Sequence, residues 1–322
     1  MTAGHAPGRS GQERVYVLPA HPPFPWMPLA RSLAAHAVPG LDSVRFDAAS
    51  ARLQRLLPAP GMTSAHPGAA VLAEVRFGAA DSVAVRLTSG DRAGDPALLV
   101  RLRTWLDLDA PAAAVDRFLA GFPLLAPLVE ARPGLRIPGT TDAFETAVLT
   151  VLGQQVSLAA ARTYGARLVS GFGTPGPGGL RLFPGAQQLA AVPAEELQRT
   201  VRITGSRART IHALSAAVAG GLELRAGQAL DAVTRAELLA LPGIGPWTVD
   251  YLSVRAAGDR DAFVPGDLVL RRALGAASPR AAAVLAEPWQ PWRAYALFHL
   301  WTAAAYDAPG APGPANGTVR TP

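Results

Sequence analysis

The string Leu241-Pro242-Gly243-Ile244-Gly245-Pro246-Trp247-Thr248-Val249-Asp250-Tyr251 is the most specific feature of the chain. A helical run ends at Leu241, and Pro242 prevents its continuation. Two glycines separated by one residue then permit a tight turn whose backbone can be approached closely. Pro246 suits the first position of a second helix. The amides of such a turn, with the helix N-terminus that follows, would face a phosphate oxygen with no side chain in the way. An ordinary connection between two helices is the plain alternative for the five residues 241–245 taken alone. After the second helix comes Phe263-Val264-Pro265-Gly266-Asp267-Leu268-Val269-Leu270-Arg271-Arg272. Asp267 there has two readings, a cap on the helix Leu268 to Leu274 or a carboxylate placed for chemistry. Trp247 and Tyr251 are four apart and share one helix face, and Trp301 lies on a late helix with Ala294, Leu297 and Phe298 at i, i+3, i+4 and i+7. Core packing is the plain reading of all three aromatics.

Composition narrows the chemistry. The 322 residues carry 30 cations against 24 anions, a net charge of +6, which points weakly toward a polyanionic partner. Every one of those cations is Arg, so no lysine can form a Schiff base. Cys is 0, which excludes disulfides, thiolate zinc sites, cysteine-ligated iron–sulfur clusters and a cysteine nucleophile. The histidines at 5, 21, 36, 66, 212 and 299 have no ligand spacing, so no zinc site is expected, and His299 reads as a satisfied core residue. With 49% apolar and 17% charged residues the chain is not wholly disordered. No run approaches the roughly 18 apolar residues of a membrane span. The first residues, MTAGHAPGRSGQER, lack the apolar core of a secretion signal, so the expectation is a cytoplasmic protein.

The elements that must position these residues fall into two parts. Residues 1–14 and 308–322 read as disordered tails, Pro/Gly-rich and polar. Residues 15–131 have a mixed pattern: a short helix over Met27 to Ala37, strands over Ala70 to Phe77 and Ser82 to Leu87, and helices opening at Pro96 and Pro111. From 132 to 307 the strand signals disappear. Asp142 and Glu145 fit a capping box, and Phe144, Val148, Val151 and Leu152 then form one buried face. Further helices are expected over Leu158–Phe172, Ala194–Val201, Ser206–Gly220 and Arg235–Leu241, with a loop over Gly173 to Gly179. The fold class is mainly α: an α+β amino-terminal domain with a small antiparallel sheet, followed by an all-α core.

The segment from Leu241 to Gly245 resembles the helix-hairpin-helix motif. With Asp267 it is similar to the arrangement of base-excision DNA glycosylases. Arg132-Pro133-Gly134-Leu135-Arg136-Ile137-Pro138-Gly139, Asp142-Ala143-Phe144-Glu145, Leu152-Gly153-Gln154-Gln155-Val156-Ser157 and Pro291-Trp292-Arg293-Ala294-Tyr295-Ala296-Leu297 resemble the bacterial 3-methyladenine DNA glycosylase II (AlkA-type) family. Near the start, Pro22-Pro23-Phe24-Pro25-Trp26 with Arg31-Ser32-Leu33-Ala34 resembles that family's amino-terminal domain, and the likeness runs over about residues 15–307.

The resemblance implies a helix-hairpin-helix glycosylase core over 132–307, acting as a monomer on double-stranded DNA that contains damaged bases. It makes Asp267 the catalytic carboxylate, which would stabilise the positive charge that develops on the sugar. Trp247, Tyr251 and Trp301 become the pocket aromatics, suited to cationic purines such as 3-methyladenine or 7-methylguanine. Pro242, Gly243, Ile244 and Gly245 become the backbone clamp, with a monovalent cation (Na+ or K+) held by the carbonyls of Leu239, Leu241 and Ile244; no other cofactor is implied. Gln155 takes the wedge position, where an apolar Leu is the familiar pattern; a polar residue on an exposed loop is its plain alternative. Bifunctional relatives carry a lysine near Trp247, and its absence implies a monofunctional enzyme that leaves an abasic site. Arg271 and Arg272, which follow Asp267, have two equal readings, phosphate contacts or a solvated helix face, and Trp105, Trp289 and Trp292 are assigned to packing. The rival readings are a glycosylase for hypoxanthine or another deaminated or bulky purine, and a non-catalytic module that kept the hairpin. Phosphate clamping alone needs neither Asp267 nor the aromatics.

Overall fold

The computed structural model describes residues 12–59, 70–89 and 92–306. Strands β1 (Gln12–Pro19), β2 (Asp42–Phe46), β3 (Ala51–Pro58), β4 (Ala70–Phe77) and β5 (Ser82–Ser89) form an antiparallel sheet in the order β1-β5-β4-β3-β2. Val71, Ala73, Val75 and Phe77 of β4 and Val83, Val85 and Leu87 of β5 alternate inward, as a half-buried sheet requires. Helices α1 (Trp26–His36) and α2 (Asp95–Trp105) cover that face with Leu29, Leu33, Leu98 and Leu102. The amino-terminal tail expectation is corrected at its last three residues, because Gln12, Glu13 and Arg14 open β1. Arg14 is buried there by a two-pronged pair with Asp95, 2.5 Å from Nε to Oδ2 and 2.7 Å from Nη2 to Oδ1. The rest of the expected amino-terminal tail, residues 1–11, the whole expected carboxy-terminal tail, 308–322, and residue 307 lie outside the described residues.

The remaining helices are α3 (Ala112–Leu119), α4 (Ala126–Ala131), α5 (Ala143–Gly153), α6 (Leu158–Phe172), α7 (Ala186–Ala190), α8 (Ala194–Val201), α9 (Gly205–Ala219), α10 (Ala232–Ala240), α11 (Pro246–Arg255), α12 (Leu268–Leu274), α13 (Pro279–Ala286) and α14 (Arg293–Tyr306). Two apolar clusters hold them. One joins α3, α4 and α12 to α14 around Val115, Val129, Leu270, Ala282 and Leu297. The other joins α5 to α11 around Val148, Leu168, Leu197, Ile211 and Leu252. Helix α11 serves both, Val254 in the first cluster and Val249 and Leu252 in the second, so it is fixed from two sides. No helix among the described residues is long and apolar enough to cross a membrane.

Two expectations for this half are corrected. A short ladder, β6 (Thr174–Pro175) with β7 (Arg181–Leu182), interrupts the segment expected to be all helix and loop. Strands of two residues carry no alternation to read; this pair is fixed from outside, by the Arg181 amide on the Gly40 carbonyl at 2.7 Å. The capping box at α5 is half formed. Asp142 Oδ1 accepts the Glu145 amide at 3.0 Å, whereas the Asp142 amide goes to Thr140 Oγ1. The Glu145 carboxylate is drawn instead to Arg55, whose Nη2 lies 2.8 Å from both of its oxygens. Arg55 follows Ala51 and Leu53 on the inward face of β3, so this buried pair ties the sheet to α5. Removing one partner of such a pair costs about 3–5 kcal/mol.

Candidate functional site

Helix α10 is capped by Asp231, which accepts the Thr234 amide at 2.7 Å, and it ends where Pro242 removes the next donor. Leu241-Pro242-Gly243-Ile244 closes a type II turn, with the Ile244 amide on the Leu241 carbonyl at 3.2 Å and Gly243 at φ +78°. A Cβ on Gly243 would lie 2.2 Å from Thr210 Oγ1, so glycine is required for both φ and space. Ile244 is buried in the α5–α11 cluster and anchors the turn, while Pro242, Gly243 and Pro246 are exposed. The amides of Gly243, Gly245 and Trp247 donate to no acceptor among the described residues. They sit at the N-terminus of α11, where the helix dipole favours an anion. Of the three carbonyls singled out from sequence, that of Leu241 closes the turn, and those of Leu239 and Ile244 accept no hydrogen bond among the described residues.

The loop between α5 and α6 lies beside this turn. Gln155 is exposed at φ +55°, a conformation non-glycine residues rarely adopt. Its neighbour Gln154 reaches the hairpin: Nε2 donates to the Gly243 carbonyl and to Thr248 Oγ1, each at 3.1 Å. From α9, Arg207 donates to the carbonyls of Val151 (3.1 Å) and Gln154 (2.5 Å).

Asp267 caps α12 and is held by aromatics at the same time. Its Oδ1 accepts the Leu270 amide at 2.8 Å and the Trp301 indole N–H at 3.0 Å, and Oδ2 accepts the Trp247 indole N–H at 3.2 Å. The two readings of Asp267 are therefore compatible. Three donors occupy part of the four-site accepting capacity of a carboxylate, which leaves room for a further partner. Trp247 stacks on Tyr251 with centroids 5.1 Å apart and planes 17° apart, and Tyr251 lies 6.0 Å from Trp301. The structure thus brings Asp267, Trp247, Tyr251 and Trp301 into one cluster.

A cavity of about 320 Å³ opens between the sheet and the helical core. Trp247 and Tyr251 line one side of it; Asp267 and Trp301 lie outside its walls. Trp105, assigned to packing from sequence, is buried and also lines this cavity, with the Arg55 guanidinium 5.2 Å over its ring. Burial pushes the Glu145 carboxyl up to about 7, with Arg55 pulling the other way. Burial also works against the Arg55 charge, but Glu145 and Asp42 outweigh it and hold that guanidinium above its ordinary value. Arg55 and Gln154 were not singled out from sequence, and Glu145 was read only as half of a capping box. Arg55 alone gave a signal, as the one cation on the inward register of β3.

The other candidates are placed as follows. Arg272 is exposed, and Arg271 turns back to the Ala277 carbonyl at 3.4 Å. Trp289 is buried in the α12–α14 cluster and Trp292 packs against it. His299 is fully buried in the core, where the Leu128 backbone is the polar group that faces its ring. Burial pushes its ring down to about 4, which leaves it neutral at physiological pH.

Comparison with known proteins follows the same division. Residues 15–142 match the AlkA N-terminal domain, and residues 148–281 match the HhH-GPD superfamily base excision DNA repair protein. The chain is 41% identical over 294 residues to a Mycobacterium tuberculosis protein described as a probable bifunctional transcriptional activator/DNA repair enzyme AlkA. That match takes in 88% of this chain and 56% of the relative, so the chain spans about half of that protein's length. It is 30% identical over 295 residues to DNA-3-methyladenine glycosylase 2 of Escherichia coli, covering 89% of this chain and 96% of the relative. The solved structure of a 3-methyladenine DNA-glycosylase from Archaeoglobus fulgidus superposes with a TM-score of 0.75 at 19% identity, covering 91% of this chain and 100% of that one, a likeness of fold.

Proposed function

The chain belongs to the DNA-3-methyladenine glycosylase 2 (AlkA) family, and from that premise we propose that it excises alkylated purines from duplex DNA in base-excision repair. The observation that carries the reading is the Asp267 carboxylate held by the indole N–H groups of both Trp247 and Trp301. A phosphate clamp alone has no use for a carboxylate set among three aromatics.

In this reading the hairpin receives a backbone phosphate on the free amides of Gly243, Gly245 and Trp247. Gln155 enters the stack as the wedge, and its amide fills the gap and can hydrogen-bond the orphaned base. The target purine leaves the helix and stacks on the Trp247, Tyr251 and Trp301 cluster. A cationic 3-methyladenine or 7-methylguanine gains about 0.5–2 kcal/mol from the ring faces. As the N-glycosidic bond breaks, Asp267 faces the positive charge growing on the sugar and orients the attacking water; a general base of this kind is worth about 10²–10⁴ in rate. Alkylation already makes the base a good leaving group, so no acid is required. With no lysine in the sequence, a lysine Schiff base cannot form, and the strand stays intact at an abasic site. The free carbonyls of Leu239 and Ile244, with that of Leu241, form a donor set of hard oxygens that would hold a monovalent cation beside the phosphate. Such an ion would neutralise part of the phosphate charge and stiffen the turn.

The test is a panel of duplexes carrying 7-methylguanine, 3-methyladenine or hypoxanthine. Release of free methylated base, with strand breakage only after alkali, is the expected result. Preferential release of hypoxanthine would assign the pocket to deaminated purines. Salt-sensitive binding with no release from any substrate would leave a clamp.

A further inference from the structure

Gln154 is the last residue before the exposed Gln155, and its half-buried side chain turns to the hairpin. Both N–H donors of its amide are spent on the hairpin, one on the Gly243 carbonyl inside the turn and one on Thr248 Oγ1 in the first turn of α11. Its own carbonyl is gripped by Arg207 from α9, which also holds the Val151 carbonyl at the end of α5. Between these grips Gln155 adopts φ +55°. A left-handed non-glycine residue persists only where its surroundings impose the conformation. Here the imposing groups are those two anchors, and one of them is the phosphate-facing turn itself.

We infer that Gln154 is a positioning residue that couples the hairpin to the wedge, so that docking of the turn on the DNA backbone sets Gln155 in register with the nucleotide to be extruded. The Gln154 bond to the Gly243 carbonyl also fixes the Gly243–Ile244 peptide, whose N–H closes the turn on the Leu241 carbonyl. The inference rests on the reading of the hairpin and of Gln155 given above, and it adds a residue that touches neither base nor sugar.

The test uses the full chain with Gln154→Leu and Gln154→Glu. The first keeps the volume and loses the donors; the second turns a carboxylate toward the Gly243 carbonyl. Release of 7-methylguanine is measured from a duplex and from the same oligonucleotide single-stranded, and extrusion is followed by 2-aminopurine fluorescence beside the lesion. Loss of these bonds is expected to lower duplex kcat/KM about ten-fold in both variants, with single-strand release unchanged and the fluorescence rise diminished. Gln155→Ala should give the same pattern. An unchanged duplex-to-single-strand ratio overturns the inference, as does a parallel fall on both substrates with a lowered Tm, the mark of a purely structural strut. If the wild type releases no base from either substrate, the glycosylase reading fails separately. The fluorescence signal, which needs no bond cleavage, then decides on Gln154: a rise that survives Gln154→Leu overturns it.

Discussion

Trp301 donates its indole N–H to the same Asp267 oxygen that caps α12 through the Leu270 amide, at 3.0 Å and 2.8 Å. One oxygen atom therefore joins the start of α12 to the late helix α14. The other oxygen faces Trp247 at the start of α11. A carboxylate whose rotamer is fixed from three elements need not reorganise as charge develops opposite it, which is the condition under which electrostatic stabilisation is largest.

Replacing Trp301 by Phe keeps an aromatic face and deletes the N–H. Single-turnover base release is expected to fall about ten- to a hundred-fold, as for a lost hydrogen bond to a charged group, with KM little changed. Trp247→Phe should act in the same direction but more weakly, since its bond is longer, 3.2 Å against 3.0 Å. A rise in KM at constant kcat would assign both indoles to stacking alone.

At the hairpin, Gly243→Ala adds a Cβ to a residue at φ +78°, 2.2 Å from Thr210 Oγ1. Affinity for undamaged duplex should drop at least ten-fold regardless of sequence, and the slope of log K against log salt should lose about one unit, as for one phosphate contact. Adding Thr210→Ala should restore part of the loss by relieving the clash, leaving the backbone strain. Salt titrations of the single and double variants check this.

Stability near the acid limit should depend on Asp95, whose carboxyl is held below its ordinary 3.8 first by the hydrogen bond from Arg14 and then by that from Tyr16, against burial. A carboxyl with a depressed folded-state value contributes stability that is full above its unfolded value and is lost as pH falls through the folded one. Asp95→Asn is therefore expected to cost about 1.5–3 kcal/mol at pH 7, the worth of hydrogen bonds to a charged group, because Arg14 and Tyr16 lose the carboxylate. The difference from wild type should shrink as pH drops below about 3.8. Urea melts at several pH values measure it, and a difference independent of pH contradicts the assignment.

How legible each part was in the sequence follows from physics at particular residues. The hairpin, the Asp267 cap and helices α6 and α8 could be read because glycine, proline and cap residues act locally. Strand β1 could not be read because its apolar residues face the wrong way: Val15 and Val17 are 63% and 67% exposed while Arg14 is turned in toward Asp95. Arg55 breaks the pattern of β3 likewise, for the sake of a partner ninety positions away on α5. The same long-range pair took Glu145 out of its capping box. The aromatic cluster was recovered through family resemblance, since four-residue spacing places Trp247 beside Tyr251 but says nothing of Trp301. Gln154 was passed over because its neighbour held the more suggestive position, and only the fold shows its amide crossing to Gly243.

Asp267→Asn is the decisive variant, because asparagine retains an oxygen for the Leu270 amide and for Trp301 and so leaves α12 capped. Single-turnover release of 7-methylguanine from duplex should fall about 10²–10⁴-fold, while binding to a duplex containing an abasic analogue and the Tm remain close to wild type. Release at the wild-type rate by a folded, DNA-binding Asp267→Asn protein would contradict the role of this carboxylate in the reaction.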